Sequence, residues 1–287
     1  AVFFDGVSGQ LHTASLDSAE SVVVDSGGTV SLAATDGGAV AFFSVGPTAP
    51  VRTRLGDLDV AKAGDGNVAM AADVGGDVAF FDHQSGTIAT GSVGNGSGLA
   101  AAAGFNVAVA GADNGRVLFF DAFRHQIRST DLPAADLVGV DTVGNVAMAM
   151  YANGWVAFYG AATDTLVTHE LPDEPLGRAG FDVAVAAAPG LPVQVAIFDG
   201  INGQIVTTTL GSDPGVRVSA GGTVAVAAAG SGEISFYSTR QQALAETSLG
   251  STHPDPPAVL AGWNVGVAAH GDGGTRFYDA FSGKIVE

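Results

Sequence analysis

One short segment recurs from end to end of the chain, and its spacing restricts the fold more than any other feature. It reads Val2-Phe3-Phe4-Asp5, then Val40-Ala41-Phe42-Phe43, Val78-Ala79-Phe80-Phe81-Asp82 and Val117-Leu118-Phe119-Phe120-Asp121. It continues as Val156-Ala157-Phe158-Tyr159, Val195-Ala196-Ile197-Phe198-Asp199, Ile234-Ser235-Phe236-Tyr237 and Arg276-Phe277-Tyr278-Asp279. The second aromatic, or its equivalent, falls at 4, 43, 81, 120, 159, 198, 237 and 278, so the steps are 39, 38, 39, 39, 39, 39 and 41. Self-similarity at such a period marks a repeat architecture, in which each unit buries its apolar face against the next.

Each unit holds four strand-like pieces. In the unit that starts near residue 59 these are 59–63, 68–72, 78–82 and 87–93. They are separated by Gly64-Asp65-Gly66-Asn67, Gly75-Gly76 and Ser85-Gly86. Glycine turns at this spacing mark hairpins, because their central residues need positive φ. No helical period competes. Four short antiparallel strands per repeat predict an all-β chain, a β-propeller with four strands per blade. Residue sizes agree. The second pieces are alanine-rich (Val68-Ala69-Met70-Ala71-Ala72, Val224-Ala225-Val226-Ala227-Ala228), as suits sheets that approach closely at a hub. Of the 22 aromatics, 15 lie in the third pieces, where blades diverge.

Seven first and second pieces accompany eight third pieces. The expectation is a seven-bladed β-propeller spanning 1–287 as a single domain, with residues 1–16 an extra hairpin that competes for the last blade. Leu11–Leu16 is expected to lie beside the third strand at 275–279, so that a terminal strand closes the ring. The run Val78-Ala79-Phe80-Phe81-Asp82-His83-Gln84-Ser85-Gly86-Thr87-Ile88 resembles the third strand, turn and fourth strand of the WD-repeat and of the related YVTN-type propeller repeat. Phenylalanine stands where the WD-repeat has tryptophan, and its Gly-His pair is missing. The resemblance covers essentially the whole chain as a pattern and implies a binding scaffold more often than an enzyme.

Composition removes several function classes. Eleven basic residues stand against 29 acidic ones, a net charge of −18. Such a surface repels phosphate backbones and anionic bilayers, so no nucleic-acid partner is expected. The absence of cysteine excludes disulfides and thiolate metal sites. No apolar run reaches the roughly 18 residues of a membrane-spanning helix, so no membrane insertion is expected. The sequence opens at Ala1 inside a strand-like segment, which is read as a processed or trimmed chain, exported or displayed at a cell surface.

Candidate functional residues fall into four groups. Asp5, Asp82, Asp121, Asp199 and Asp279 close third strands. Their recurrence favours a turn-capping role over a ring of catalytic carboxylates. The six histidines show no metal-ligand spacing, and no phosphate loop or nucleophile elbow occurs, so no catalytic residue, metal or cofactor is predicted. Lys62, Arg178 and Arg217 lie on first strands, which line a propeller's channel. They either capture an anion or pair with acids such as Asp25 and Asp141.

The fourth group is aromatic. Phe105, Phe181 and Trp263 replace glycine (Gly28, Gly66, Gly144, Gly222) in the turn between first and second strands. Phe123 and Phe281 sit in turns between third and fourth strands, on the same face. Tyr151 and Trp155 flank a turn on the opposite face, where the proline-rich loops with His253 and Asp255 also lie. The aromatics either form a partner-binding patch or fold down over their own blade edges. The preferred reading is a non-enzymatic scaffold for a protein or peptide partner. The alternatives are an enzyme or small-ligand site at the channel mouth, built on Arg178, Arg217, His253 and nearby acids, and a structural module of a larger surface protein.

Overall fold

The structure is a computed structural model that describes residues 1–17, 19–46, 49–95, 97–211, 215–250 and 257–287. Strands and turns make up these residues, without helix. The strands assemble into eight antiparallel sheets, mostly of four strands, in a propeller-like repeat. Contacts divide the chain into two compact units, 1–143 and 144–287.

In the first unit, β1 (Val2–Asp5) and β2 (Gln10–Thr13) form a two-stranded sheet. A four-stranded sheet follows from β3 (Val22–Gly27), β4 (Val30–Thr35), β5 (Ala39–Ser44) and β6 (Val51–Arg54). The next comprises β7 (Leu58–Ala63), β8 (Val68–Asp73), β9 (Asp77–Asp82) and β10 (Thr87–Ser92). The third comprises β11 (Ala100–Ala103), β12 (Val107–Gly111), β13 (Arg116–Asp121) and β14 (Gln126–Asp131). β15 (Leu137–Thr142) ends the unit.

The second unit opens with β16 (Val146–Tyr151), β17 (Trp155–Gly160) and β18 (Thr165–Glu170), paired in sequence. One complete sheet follows from β19 (Leu176–Ala179), β20 (Val183–Ala188), β21 (Val193–Asp199) and β22 (Gln204–Leu210). Another comprises β23 (Val216–Ala220), β24 (Val224–Ala229), β25 (Glu233–Ser238) and β26 (Ala243–Ser248). The last comprises β27 (Ala258–Ala261), β28 (Val265–Ala269), β29 (Thr275–Asp279) and β30 (Lys284–Val286). Within each sheet the strands stand in chain order, as hairpin connections require.

Burial explains the composition of each strand. Second strands such as β8 and β20 are buried along their whole length, on both faces, so they read as unbroken apolar runs rather than alternating ones. Fourth strands such as β14 and β26 are sheet edges and alternate between partial and full exposure. The third-strand aromatics stack from one sheet to the next. In the first unit Phe42 meets Phe81 at 5.4 Å and Phe80 meets Phe120 at 5.2 Å. In the second unit Phe158 meets Phe198 at 5.6 Å and Phe236 meets Tyr278 at 5.4 Å. Small second-strand residues surround them: Ala108 and Ala110 share one core with Phe80 and Phe120.

The terminal segments pair differently from the sequence expectation. Residues 11–13 pair with β1, with Leu11 opposite Phe4, and are not strand partners of β29. The partner of β29 is its own neighbour β30, with Tyr278 opposite Ile285. The Asp279 carboxylate accepts the Phe281 N–H at 2.9 Å and so holds the tight turn between them. A local hairpin closes at lower entropic cost than a pairing across the chain.

Candidate functional site

The turns between first and second strands carry the aromatic group, and their backbones are laced together. In the first unit the Asn67 N–H donates to the Phe105 carbonyl (2.7 Å) and the Phe105 N–H donates to that of Val143 (2.8 Å). In the second unit the Asn145 N–H reaches the Phe181 carbonyl at 2.7 Å, Phe181 N–H that of Gly221 at 2.6 Å, and Thr223 N–H that of Trp263 at 2.9 Å. Each large ring lies on a glycine of the preceding turn: Phe105 on Gly66, Phe181 on Gly144 and Trp263 on Gly222. A Cβ at any of these glycines would enter the ring above it. The glycines therefore serve as seats for the aromatics as well as turn formers.

Seating leaves much of each ring open. Trp263 is 61% and Phe105 38% exposed, and Phe181 is half-buried. Phe181 and Trp263 come together, with ring centroids 5.0 Å apart at a 43° tilt. Phe123 and Phe281 are exposed in their turns, and the Arg240 guanidinium stands 4.2 Å above the Phe281 ring. Each unit also carries a polar link between neighbouring turns that the sequence reading missed. The Asn67 amide donates to Asn106 Oδ1 (2.8 Å) in the first unit, and the Asn145 amide donates to Asp182 Oδ1 (2.8 Å) in the second. Burial pushes the Asp182 carboxyl up from its ordinary range, against the Asn145 hydrogen bond. Asparagine at 67, 106 and 145, two steps of 39, was the available signal.

The other candidates are more scattered. Lys62, Arg178 and Arg217 are exposed on β7, β19 and β23. Asp25, read as a partner for such cations, accepts the Ala63 N–H at 3.0 Å. Trp155 is half-buried at the start of β17, whereas the Tyr151 ring is fully buried. Tyr151 ends β16, a second strand covered on both faces, so its ring packs inside and does not join a surface patch. His253 and Asp255 lie outside the described residues.

The recurring aspartates cap turns. Asp5, Asp82, Asp121, Asp199 and Asp279 each accept the backbone N–H two residues on, at 2.8 to 2.9 Å. Ser238 occupies the same place in β25 and accepts the Arg240 N–H through its hydroxyl at 3.2 Å. The Ser8 hydroxyl and then the Val7 N–H hold the Asp5 carboxyl down at about 2, from an ordinary 3.8. A depressed folded value contributes stability above pH 3.8 that is lost as pH falls through about 2. A carboxyl-carbon NMR titration of Asp5 is expected to show a midpoint near 2, and Ser8→Ala should move it toward 3.8. A wild-type midpoint near 3.8 would mean that the cap is not formed.

No protein-family model matches the chain, and no curated protein matches it. Among solved structures it is similar to the crystal structure of the computationally designed Ika8 protein. The identity is 16% over 92% of this chain and 85% of that one, with a TM-score of 0.44. It is also similar to Sqt1 of Saccharomyces cerevisiae, at 11% identity over 92% and 83% of the two chains, with a TM-score of 0.40. Both likenesses are weak.

Proposed function

We propose that the chain is a non-enzymatic repeat scaffold that binds a protein or peptide partner through the turns carrying Phe181 and Trp263. The observation that supports this is the pair itself: two rings 5.0 Å apart, each seated on a glycine, with Trp263 61% exposed. Backbone hydrogen bonds between the turns hold the rings in place, so little conformational entropy remains to be lost on contact. Tryptophan on a preorganised surface is a common energetic anchor of interfaces. Phe105 and Phe123 in the first unit, and Phe281 in the second, are further exposed aromatics in the same two classes of turn. The net charge of −18 favours a basic partner, which it would attract over distance.

The test is a displayed peptide library selected against the whole chain and against the double variant Phe181→Ser, Trp263→Ser. Peptides enriched on the wild type are expected to lose about tenfold or more in affinity on the variant, the loss of one good anchor. The variant's melting temperature should stay within about 2 °C, because little buried surface is removed. Equal binding by both proteins would refute the reading. A melting temperature lowered by more than about 8 °C would assign the rings to the core.

A further inference from the structure

In four sheets a hydrogen bond ties the turn after the second strand to the connection that leads into the first. The Asp36 N–H donates to the Ser21 carbonyl, that of Val74 to Asp57, that of Asp113 to Ser97 and that of Gly230 to Gly215, at 2.8 to 3.3 Å. Carboxylates at this end of the sheets are engaged in the same way. Asp73 Oδ2 accepts the Gly56 N–H at 2.6 Å, and Asp113 Oδ1 accepts that of Leu137 at 2.8 Å. The sheet of β19 to β22 departs from this plan. Pro189 follows β20, and proline has no N–H to donate. Among the described residues no hydrogen bond joins 171–175 to 189–192.

The two connections instead face each other across a cavity of about 440 Å³, lined by Asp173, Pro189, Gly190 and Leu191. Its size falls at the lower end of the roughly 300–1,000 Å³ of ligand pockets. Leu191 is 76% exposed, so the aliphatic wall is open at the surface. Asp173 and Glu174 are exposed too. Asp173 Oδ1 accepts the Glu174 N–H at 2.8 Å, a bond within its own connection. Neither carboxylate forms an ion pair among the described residues, so Asp173 Oδ2 is available to a donor from outside.

We propose that this cavity receives a lysine or arginine side chain of a protein partner. The aliphatic stem lies on Pro189 and Leu191, and the cationic head meets the Asp173 carboxylate. Charge selects this occupant. An apolar side chain would strip water from Asp173 without giving it a partner, and an anion meets Asp173, Glu174 and a chain of net charge −18. Openness selects a side chain over a free small molecule. Small-ligand sites bury most of the ligand, whereas the exposed Leu191 wall leaves room for the backbone that carries a side chain in. The site is separate from the aromatic turns. Phe181 precedes β20 and Pro189 follows it, so a strand of six residues, about 20 Å, stands between the two.

The probes are three blocked tripeptides, acetyl-Gly-X-Gly-amide with X arginine, lysine or citrulline, and the free diamine putrescine. Each is titrated into the nitrogen-15-labelled whole chain and followed by amide chemical shifts. Arginine or lysine peptide should give saturable shifts centred on residues 173, 174, 190 and 191, with a dissociation constant of about 1–10 mM. Citrulline, which has the shape of arginine without its charge, should bind at least about fivefold more weakly. Asp173→Asn keeps the oxygen that accepts the Glu174 N–H and removes the charge, and should weaken the cationic peptides about fivefold or more. Leu191→Ser should also weaken them, while the Phe181→Ser, Trp263→Ser variant binds them as the wild type does. Equal binding of citrulline, or no effect of Asp173→Asn, would overturn the proposal. Shifts as large at Asp131 and Glu233 would mean that the acidic surface collects cations without a site, and would overturn it too. Putrescine binding more tightly than either cationic peptide would make the ligand a small amine, and would equally overturn it.

Discussion

Phe120→Ala is expected to destabilise the fold by about 3–5 kcal/mol, the range for removing a buried phenylalanine ring. Phe120 is fully buried and stacks on Phe80 at 5.2 Å, inside a core that joins the second and third four-stranded sheets of the first unit. Truncation leaves a cavity walled by backbone-stiffened strands, which collapse poorly around it. The second- and third-strand residues around the ring, Ala108, Ala110 and Leu118 among them, are too short to reach across. Phe120→Leu should cost less than half as much, because most of the volume is retained. Urea unfolding followed by tryptophan fluorescence measures both. A loss below about 1 kcal/mol for Phe120→Ala would mean that third strands do not pack sheet on sheet.

Gly180→Ala is the second substitution expected to do large damage, although it adds only a methyl group. Gly180 is buried, its N–H donates to the Val183 carbonyl at 2.7 Å, and its Cα faces the Gly221 carbonyl oxygen of the next turn. A Cβ would enter that oxygen, and the obstacle is backbone already engaged by the Phe181 N–H. Neither turn can move without breaking hydrogen bonds, so the cost should reach the upper part of the 1–3 kcal/mol typical of overpacking, or about 3 kcal/mol. Gly37→Ala is the control, since nothing lies within 4 Å of a Cβ there. It should change stability by less than about 0.5 kcal/mol. Equal effects at the two positions would show that close approach of the turns is not what requires glycine at 180.

The repeat made most of the strand plan legible. A 39-residue period, an aromatic third strand and an alanine second strand are local properties, and each survives as an element with the expected neighbours. The aspartate caps were legible for the same reason, because an Asx turn is decided within three residues. What the sequence hid depends on distances between segments. The glycines at 66, 144 and 222 looked sufficient for their turns, yet the structure seats a ring of the following repeat on each of them. The Asn67–Asn106 and Asn145–Asp182 links were invisible until the turns were laid side by side. Tyr151 was misplaced because a residue that flanks a turn reads as surface, whereas it completes a strand buried on both faces. Residues 11–13 pair with β1, and Lys284–Val286 with β29, because each is joined to its partner by a tight local turn.

The central claim, that the aromatic turns are the recognition surface of a scaffold, is tested most directly by amide hydrogen exchange of the whole chain with and without a selected peptide. The account predicts slowed exchange on binding at residues 180–182, 221–223 and 262–264, where the Phe181 and Trp263 turns are bonded to their neighbours. Protection centred on the first strands around Lys62, Arg178 and Arg217, with the aromatic turns unchanged, would contradict it.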